Sequence, residues 1–304
     1  MRKFFSNLWR LVTAPFRFIW RLITFPFRTY GKIRHFLSVE PDEHALMDVV
    51  SGVVTDTEIR QALWDQVEDL RKHLLRSILG LTLAVAISFL FTQRLINYLT
   101  LPLEGGLESL KAIEVTESIG VFMKVALLSG VALSLPYIAF EFWYFAAPGL
   151  SSRSRKFGLI AIPMSTLLFV SGMAFAFYVM MPAALPFLIN FMGIQAELRP
   201  QSYFNFVTGV MFWIGVAFEF PLVIYALTAV GYIKPKVLAE QWRLALILIA
   251  VLAAAITPTV DPVNMALVMA PMSLLYFISI GLSKIAYRGR LRQQQERANL
   301  QEKE

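Results

Sequence analysis

FGLIAIPMSTLLFVSGMAFAFYVMMPAALPFLINFMGIQA, residues 157–196, runs for 40 residues without a charged side chain. A bilayer core of about 30 Å takes about 20 mostly apolar helical residues, so this run is too long for one crossing and too apolar for a soluble domain. Pro182 and Pro186 divide it. Proline lacks a donor and clashes with the preceding turn, so a helix is expected to end near Met181, leaving 182–201 as a loop outside the membrane. The same ruler, moved outward along the chain, finds five further segments. One lies between Arg76 and Arg94, and one runs from Lys124 to Ala147 interrupted only by Glu141. A fourth crossing covers about 203–231, with Glu219 and Pro221 embedded. The last two, 244–257 and 263–283, flank Thr257-Pro258-Thr259-Val260-Asp261-Pro262, and the first of these is short for a full crossing. The reading is an all-α polytopic membrane protein with six transmembrane helices.

Composition agrees. Of 304 residues, 57% are hydrophobic and 16% charged, against roughly 45–50% apolar in an ordinary soluble domain. There is no cysteine, and the three histidines, His35, His44 and His73, all lie in the first quarter. No disulfide, thiol nucleophile, metal site or histidine-based acid–base site is expected. The net charge of +7 is local. Residues 1–39 carry eight Lys/Arg and no acid, while the remainder has 20 Lys/Arg against 21 Asp/Glu. A nucleic-acid-binding body is therefore not indicated.

Lys and Arg in short flanks mark the cytoplasmic side. With the N-terminus inside, that side receives the basic arm, Arg153/Arg155/Lys156, Lys234/Lys236/Arg243 and the tail from Lys284 to Lys303. Both termini are thus expected in the cytoplasm of a multi-pass plasma-membrane protein. Within the arm, Trp9-Arg10-Leu11-Val12-Thr13-Ala14-Pro15-Phe16-Arg17 recurs at a period of 11 as Trp20-Arg21-Leu22-Ile23-Thr24-Phe25-Pro26-Phe27-Arg28. Three helical turns put the tryptophans on one face. Short amphipathic pieces lying on anionic lipid are expected, broken at Pro15 and Pro26. The arm has no apolar run of signal-peptide length. Residues 40–69 reverse the sign, with nine acids against Arg60, and read as a hydrated link. The membrane core is expected over 70–288 and a charged cytoplasmic tail over 289–304.

Carboxylates inside crossings are costly and persist where they face protein or water. Glu219, in Phe218-Glu219-Phe220-Pro221, and Glu141, in Phe140-Glu141-Phe142-Trp143, qualify. Each is either a polar docking point or proton carrier, or a hydrogen-bonded packing residue. A Ser–Lys pair is formally available in Ser118 and Lys124, in a setting that does not favour catalysis. No other hydrolytic or phosphate-binding motif is present. No enzymatic activity and no cofactor are expected.

Several motifs in order resemble the TatC subunit family of the twin-arginine translocase. Asp65-Gln66-Val67-Glu68-Asp69-Leu70-Arg71-Lys72-His73-Leu74-Leu75 resembles that family's H-L-x-E-L-R-x-R-L-L, and Leu101-Pro102-Leu103 its proline after helix one. Thr116-Glu117 with Phe122, Lys124 and Ala126 resembles the approach to helix two. Ala147-Pro148-Gly149-Leu150 resembles its P-G-L turn, Gly215-Val216-Ala217-Phe218-Glu219-Phe220-Pro221 its G-x-x-F-E-x-P, and Thr257-Pro258 with Asp261 the turn between helices five and six. The resemblance covers about residues 61–288.

It implies a concave, glove-like bundle with short helices five and six, acting as the receptor core of twin-arginine export. Such a core binds the twin-arginine signal peptide of folded cargo and recruits TatA/TatB-type single-span subunits into homo- and hetero-oligomers, driven by the proton-motive force. A guanidinium pair is best met by carboxylates near the interface. In this chain the loop carboxylate that follows P-G-L in the family is Ser154, and the helix-two Gln is Glu141. Leu275-Tyr276-Phe277 replaces L-x-E in helix six. The implied signal site is then Glu68, Asp69, Arg71 and Glu141 with Phe145, Pro148 and Leu150. Glu219 and Pro221 line the cavity for a partner helix or the signal. Pro102, Glu117, Pro258 and Asp261 shape loops.

Two other classes compete with this reading. A proton-coupled small-solute secondary transporter would also use embedded carboxylates and proline-broken helices, but it is expected to show inverted repeats, and none is found between the two halves. A lipid-bound scaffold explains residues 1–39 and not the ordered membrane motifs.

Overall fold

A computed structural model of the chain describes residues 57–103, 105–147, 152–189, 197–257 and 262–301, nearly all in helices and the turns and short irregular links between them, with no strand among them. The arm 1–39, the link up to residue 56, Pro148, Leu150, Pro258 and Asp261 lie outside the described residues, as does the Ser154 side chain. Helix α1 (Thr57–Ser88) is followed by α2 (Thr92–Leu99), bent away from it by 75°. Tight i→i+3 bonds from Leu90 N to Ile87 O (3.1 Å) and Phe91 N to Ser88 O (3.1 Å) end α1, and the buried Thr92 hydroxyl donates back to Ser88 O at 2.7 Å. A side chain that competes for backbone carbonyls stops a helix in this way. Helix α3 (Glu117–Ala146), at 30 residues, is long enough to cross a bilayer core and begins two turns before the Lys124 start expected above.

The reading of 157–196 needs correction. Helix α4 (Ser152–Phe175) does not stop near Met181 but passes through a π-turn at Ala176–Met180 into α5 (Met181–Ile189). Residues 182–189, expected as loop, are helical. The wide turn re-phases the carbonyl ladder just ahead of Pro182, so the missing donor falls at the second position of a new segment, where proline is tolerated. Together Gly158–Ile189 form one apolar run of 32 residues, about 48 Å at 1.5 Å per residue and longer than a bilayer core.

Helix α6 (Pro200–Phe218) and α7 (Phe220–Val230) are one crossing broken at Glu219, followed by α8 (Pro235–Glu240), α9 (Trp242–Ile256) and α10 (Pro262–Gln301). Gly231, at φ 100°, closes α7: its N–H and that of Tyr232 both donate to Leu227 O, at 3.0 and 2.9 Å. Only a residue without Cβ takes this left-handed position cheaply, and the Arg290 guanidinium of α10 lies over the space a Cβ would fill.

The core forms where α3, α4–α5 and α6 meet around Val125, Phe169, Met181, Phe204, Val207 and Ile214, none more than 1% exposed. Gly172 of α4 sets the closest approach. A Cβ there would come within 2.9 Å of Gly215 Cα and Ile214 O, the small-residue contact that lets apolar helices pack without a hydrophobic driving force. Helix α1 packs chiefly on α3, and α7 on α10.

Among the described residues four helices are long and apolar enough to cross a membrane, or five if the α1–α2 pair is one broken crossing. Helix α9, at 15 residues, falls short of that length. At most a third of each apolar window is buried inside the molecule. The remaining apolar surface requires an apolar solvent, as a bilayer provides.

Candidate functional site

Polar groups gather at three depths. At the end of α3 near Ala146, Glu141 is 4% exposed, and both of its oxygens are occupied. His73 of α1 meets Oε2 through Nδ1 at 2.5 Å, and Tyr137, one turn earlier on α3, donates its O–H to Oε1 at 2.8 Å. The His73 ring is bracketed by Tyr144 and Phe145, with centroids 5.3 and 6.2 Å away. Gly80 leaves the room on α1 that the Tyr137 ring occupies. Glu68 and Asp69, within five residues before His73 on the same helix, are exposed. They pair only locally, with Arg71 at 3.7 Å and Lys72 at 3.1 Å. Such exposed i,i+3 pairs contribute little and exchange readily for a stronger cation.

At mid-depth, Glu219 occupies the junction of α6 and α7. Its C=O accepts from Leu222 and Val223 N–H, both at 3.0 Å, and Pro221 has no N–H to offer the carbonyl of Ala217 in the preceding turn. The carboxylate faces the Ser165 side chain and the Phe169 backbone of α4. Its Oε1 is buried and has no hydrogen-bond partner among the described residues, so one acceptor is left open.

At the opposite end, Glu117 is 1% exposed. Arg199, the residue before α6, reaches Glu117 Oε1 through Nη2 at 2.5 Å and Nε at 3.0 Å, and reaches Glu114 at 3.1 Å. These carboxylates hold the Arg199 guanidinium above its ordinary pKa, Glu117 contributing more than Glu114. Lys111 adds a bridge to Glu197 at 2.7 Å, which raises the lysine and holds the Glu197 carboxyl below the usual carboxylate range. Lys111 N–H also donates to Leu198 O at 3.1 Å. Tyr203 on α6 donates to Leu99 O of α2 at 2.6 Å. Pro102 lies in the turn just beyond, where Leu103 N–H bonds Thr100 O at 3.0 Å.

The structure therefore places Glu141 and Phe145 around His73, leaves Glu68, Asp69 and Arg71 exposed on α1, and puts Glu117 in a clamp far along the chain from Glu219 and Pro221. His73, Tyr137 and Arg199 were not singled out from the sequence. One signal was present. His73 falls on the second arginine of H-L-x-E-L-R-x-R-L-L and Glu141 on the helix-two glutamine, two departures that touch each other.

The family model for Sec-independent protein translocase protein (TatC) matches residues 65–271, which holds the His73–Glu141 pair, the clamp and the Glu219 break in one stretch. The chain belongs to the TatC family. It is similar to Sec-independent protein translocase protein TatC of Deinococcus radiodurans, 35% identical over 231 residues that cover 73% of this chain and 86% of that protein. It is also similar to TatCy of Bacillus subtilis, 32% identical over 75% of this chain and 91% of the relative. A crystal structure described as the twin-arginine translocase receptor TatC superimposes with a TM-score of 0.63 at 30% identity, over 73% of this chain and 99% of that one. As a TatC-family member the chain is a membrane component of the twin-arginine protein translocase and serves protein transport.

Proposed function

We propose that this TatC-family chain is the receptor core of twin-arginine export: it binds the signal peptide of folded cargo at the α1–α3 end and recruits TatA/TatB-type single-span subunits for translocation driven by the proton-motive force. The observation that carries the reading is the pair of exposed, weakly held carboxylates Glu68 and Asp69 on α1, within five residues before the His73 that holds the buried Glu141. Two guanidinium groups displace local lysine and arginine partners there, because bidentate, charge-assisted bonds are stronger than exposed single contacts. Glu141 stands behind these acids. Arg71, Phe145, Pro148 and Leu150 complete the signal site in this reading, and the apolar part of the signal runs along the bundle towards Glu219. In this reading the chain crosses the plasma membrane six times with both termini in the cytoplasm, residues 1–39 lie on anionic lipid, and the open acceptor of Glu219, next to Pro221, receives a polar group of a partner helix or the signal. Pro258 and Asp261 shape the turn between the last two crossings.

Reconstitution of the chain into vesicles, with capture of a folded reporter carrying a twin-arginine signal, tests this. Capture is expected for the two-arginine signal and not for its two-lysine version. It is expected to be lost in Asp69→Ala/Glu141→Gln. Intact capture by that double variant would refute the assignment of the acids, and solute flux without any capture would overturn the receptor reading.

A further inference from the structure

Helix α1 has one packed side at its inner end. Its opposite side leaves Trp64, Val67, Leu74 and Leu75 each more than half exposed, and its main packing partner is α3. At this end His73 makes a largely buried polar contact with that partner, to Glu141 at 2.5 Å, backed by Tyr137 at 2.8 Å. The side chains of His73 and Glu141 are 13% and 5% exposed, so the contact is shielded from competing water and opening it leaves a buried carboxylate without its partner. Residues i and i+4 share a helix face, so fixing His73 fixes where Asp69 stands.

We propose that His73, Glu141 and Tyr137 form a positioning latch, which holds the inner end of α1 on α3 so that Glu68 and Asp69 meet a twin-arginine signal in one geometry. The latch sets the affinity of this chain for that signal, and it rests on the receptor reading above. His73 acts through the acids and touches no ligand. Its imidazole bridges two helices at positions where the family motif has arginine on one and glutamine on the other, so both members of the contact depart from that motif. Tyr144 and Phe145 wall the ring in, which restricts its rotamers and makes the contact directional rather than a loose charge pair.

The test uses the full chain in nanodiscs of phosphatidylethanolamine and phosphatidylglycerol. Because the protein has no cysteine, spin labels enter cleanly at Val67→Cys and Phe142→Cys, both exposed positions on the two helices. The inter-label distance distribution is expected to be narrow in the otherwise unchanged protein, to broaden in His73→Ala, and to stay narrow in His73→Arg, which again places a hydrogen-bond donor opposite Glu141. Signal-peptide affinity is expected to fall about tenfold in His73→Ala and to stay within about twofold in His73→Arg. If His73→Ala does not fold, His73→Phe keeps a ring of similar bulk but cannot bond Glu141 across the two helices, and it is read the same way. A narrow distribution together with unchanged affinity in the opened variant overturns the latch. Absence of signal binding by the unchanged protein refutes the receptor reading instead, and the distance measurement then decides the latch alone.

Discussion

At the residue scale, the buried carboxylates differ in how completely they are satisfied. Glu141 has both oxygens bonded, whereas Glu117 and Glu219 each keep one buried oxygen without a partner. Arg199 is the only described cation bonded to Glu117, so Arg199→Ala leaves a buried charge uncompensated. Its thermal midpoint in detergent should fall by several degrees, and Arg199→Lys, which keeps charge but not the two-pronged geometry, should recover part of the loss. Glu219→Ala should lower export several-fold without unfolding, and Glu219→Gln, which keeps hydrogen bonding, should be milder. Equal loss in both would mean that ionisation matters. The Lys111–Glu197 bridge has a pH signature. The Glu197 carboxyl is held low by Lys111, so its contribution is present above the ordinary carboxylate range and is lost as pH falls through the depressed value. Melting curves of the unchanged protein and Glu197→Gln should therefore differ slightly at neutral pH and converge in acid.

At the scale of elements, legibility followed the kind of force involved. The apolar helices α3, α6–α7 and α10 were readable because a charge inside a bilayer is expensive and its absence is visible in one sequence. The Glu219–Pro221 break was readable for the same reason. The extension of α4 into α5 was not, because a proline rule counts the lost donor and cannot anticipate a π-turn that absorbs it. The pairing of His73 with Glu141, 68 residues apart, and of Arg199 with Glu117, 82 apart, depends on which helices become neighbours, and neither periodicity nor composition encodes that. Close approach between helices carries its own prediction. Gly172→Ala forces α4 and α6 apart against backbone atoms that cannot rotate aside. It should cost about 1–3 kcal/mol, measured as reduced resistance to denaturant, whereas Gly209→Ala, with open space around it, should be neutral.

At the scale of the whole molecule, the apolar outer surface and the family relation agree on a membrane protein of the twin-arginine system. The proposed orientation gives a direct prediction. Single cysteines placed in this cysteine-free chain at Lys303 and at Ile113 should react from opposite sides of the membrane with an impermeant thiol reagent. Ile113 is 73% exposed, so its reactivity reports side rather than burial. Reaction of both from one side would overturn the charge-based topology.

The α6–α7 crossing also has a mechanical character. One end is clamped through Arg199 and Tyr203, and the other is seated at Gly231 beneath Arg290. Between them the hydrogen-bond ladder is interrupted at Glu219 and Pro221. A rod pinned at both ends and notched in the middle bends most easily at the notch, so a sideways load on this helix pair would be felt first at the Glu219 carboxylate. The stiffness of the two pinned ends, set by residues far from that carboxylate, would then limit how far it could be displaced.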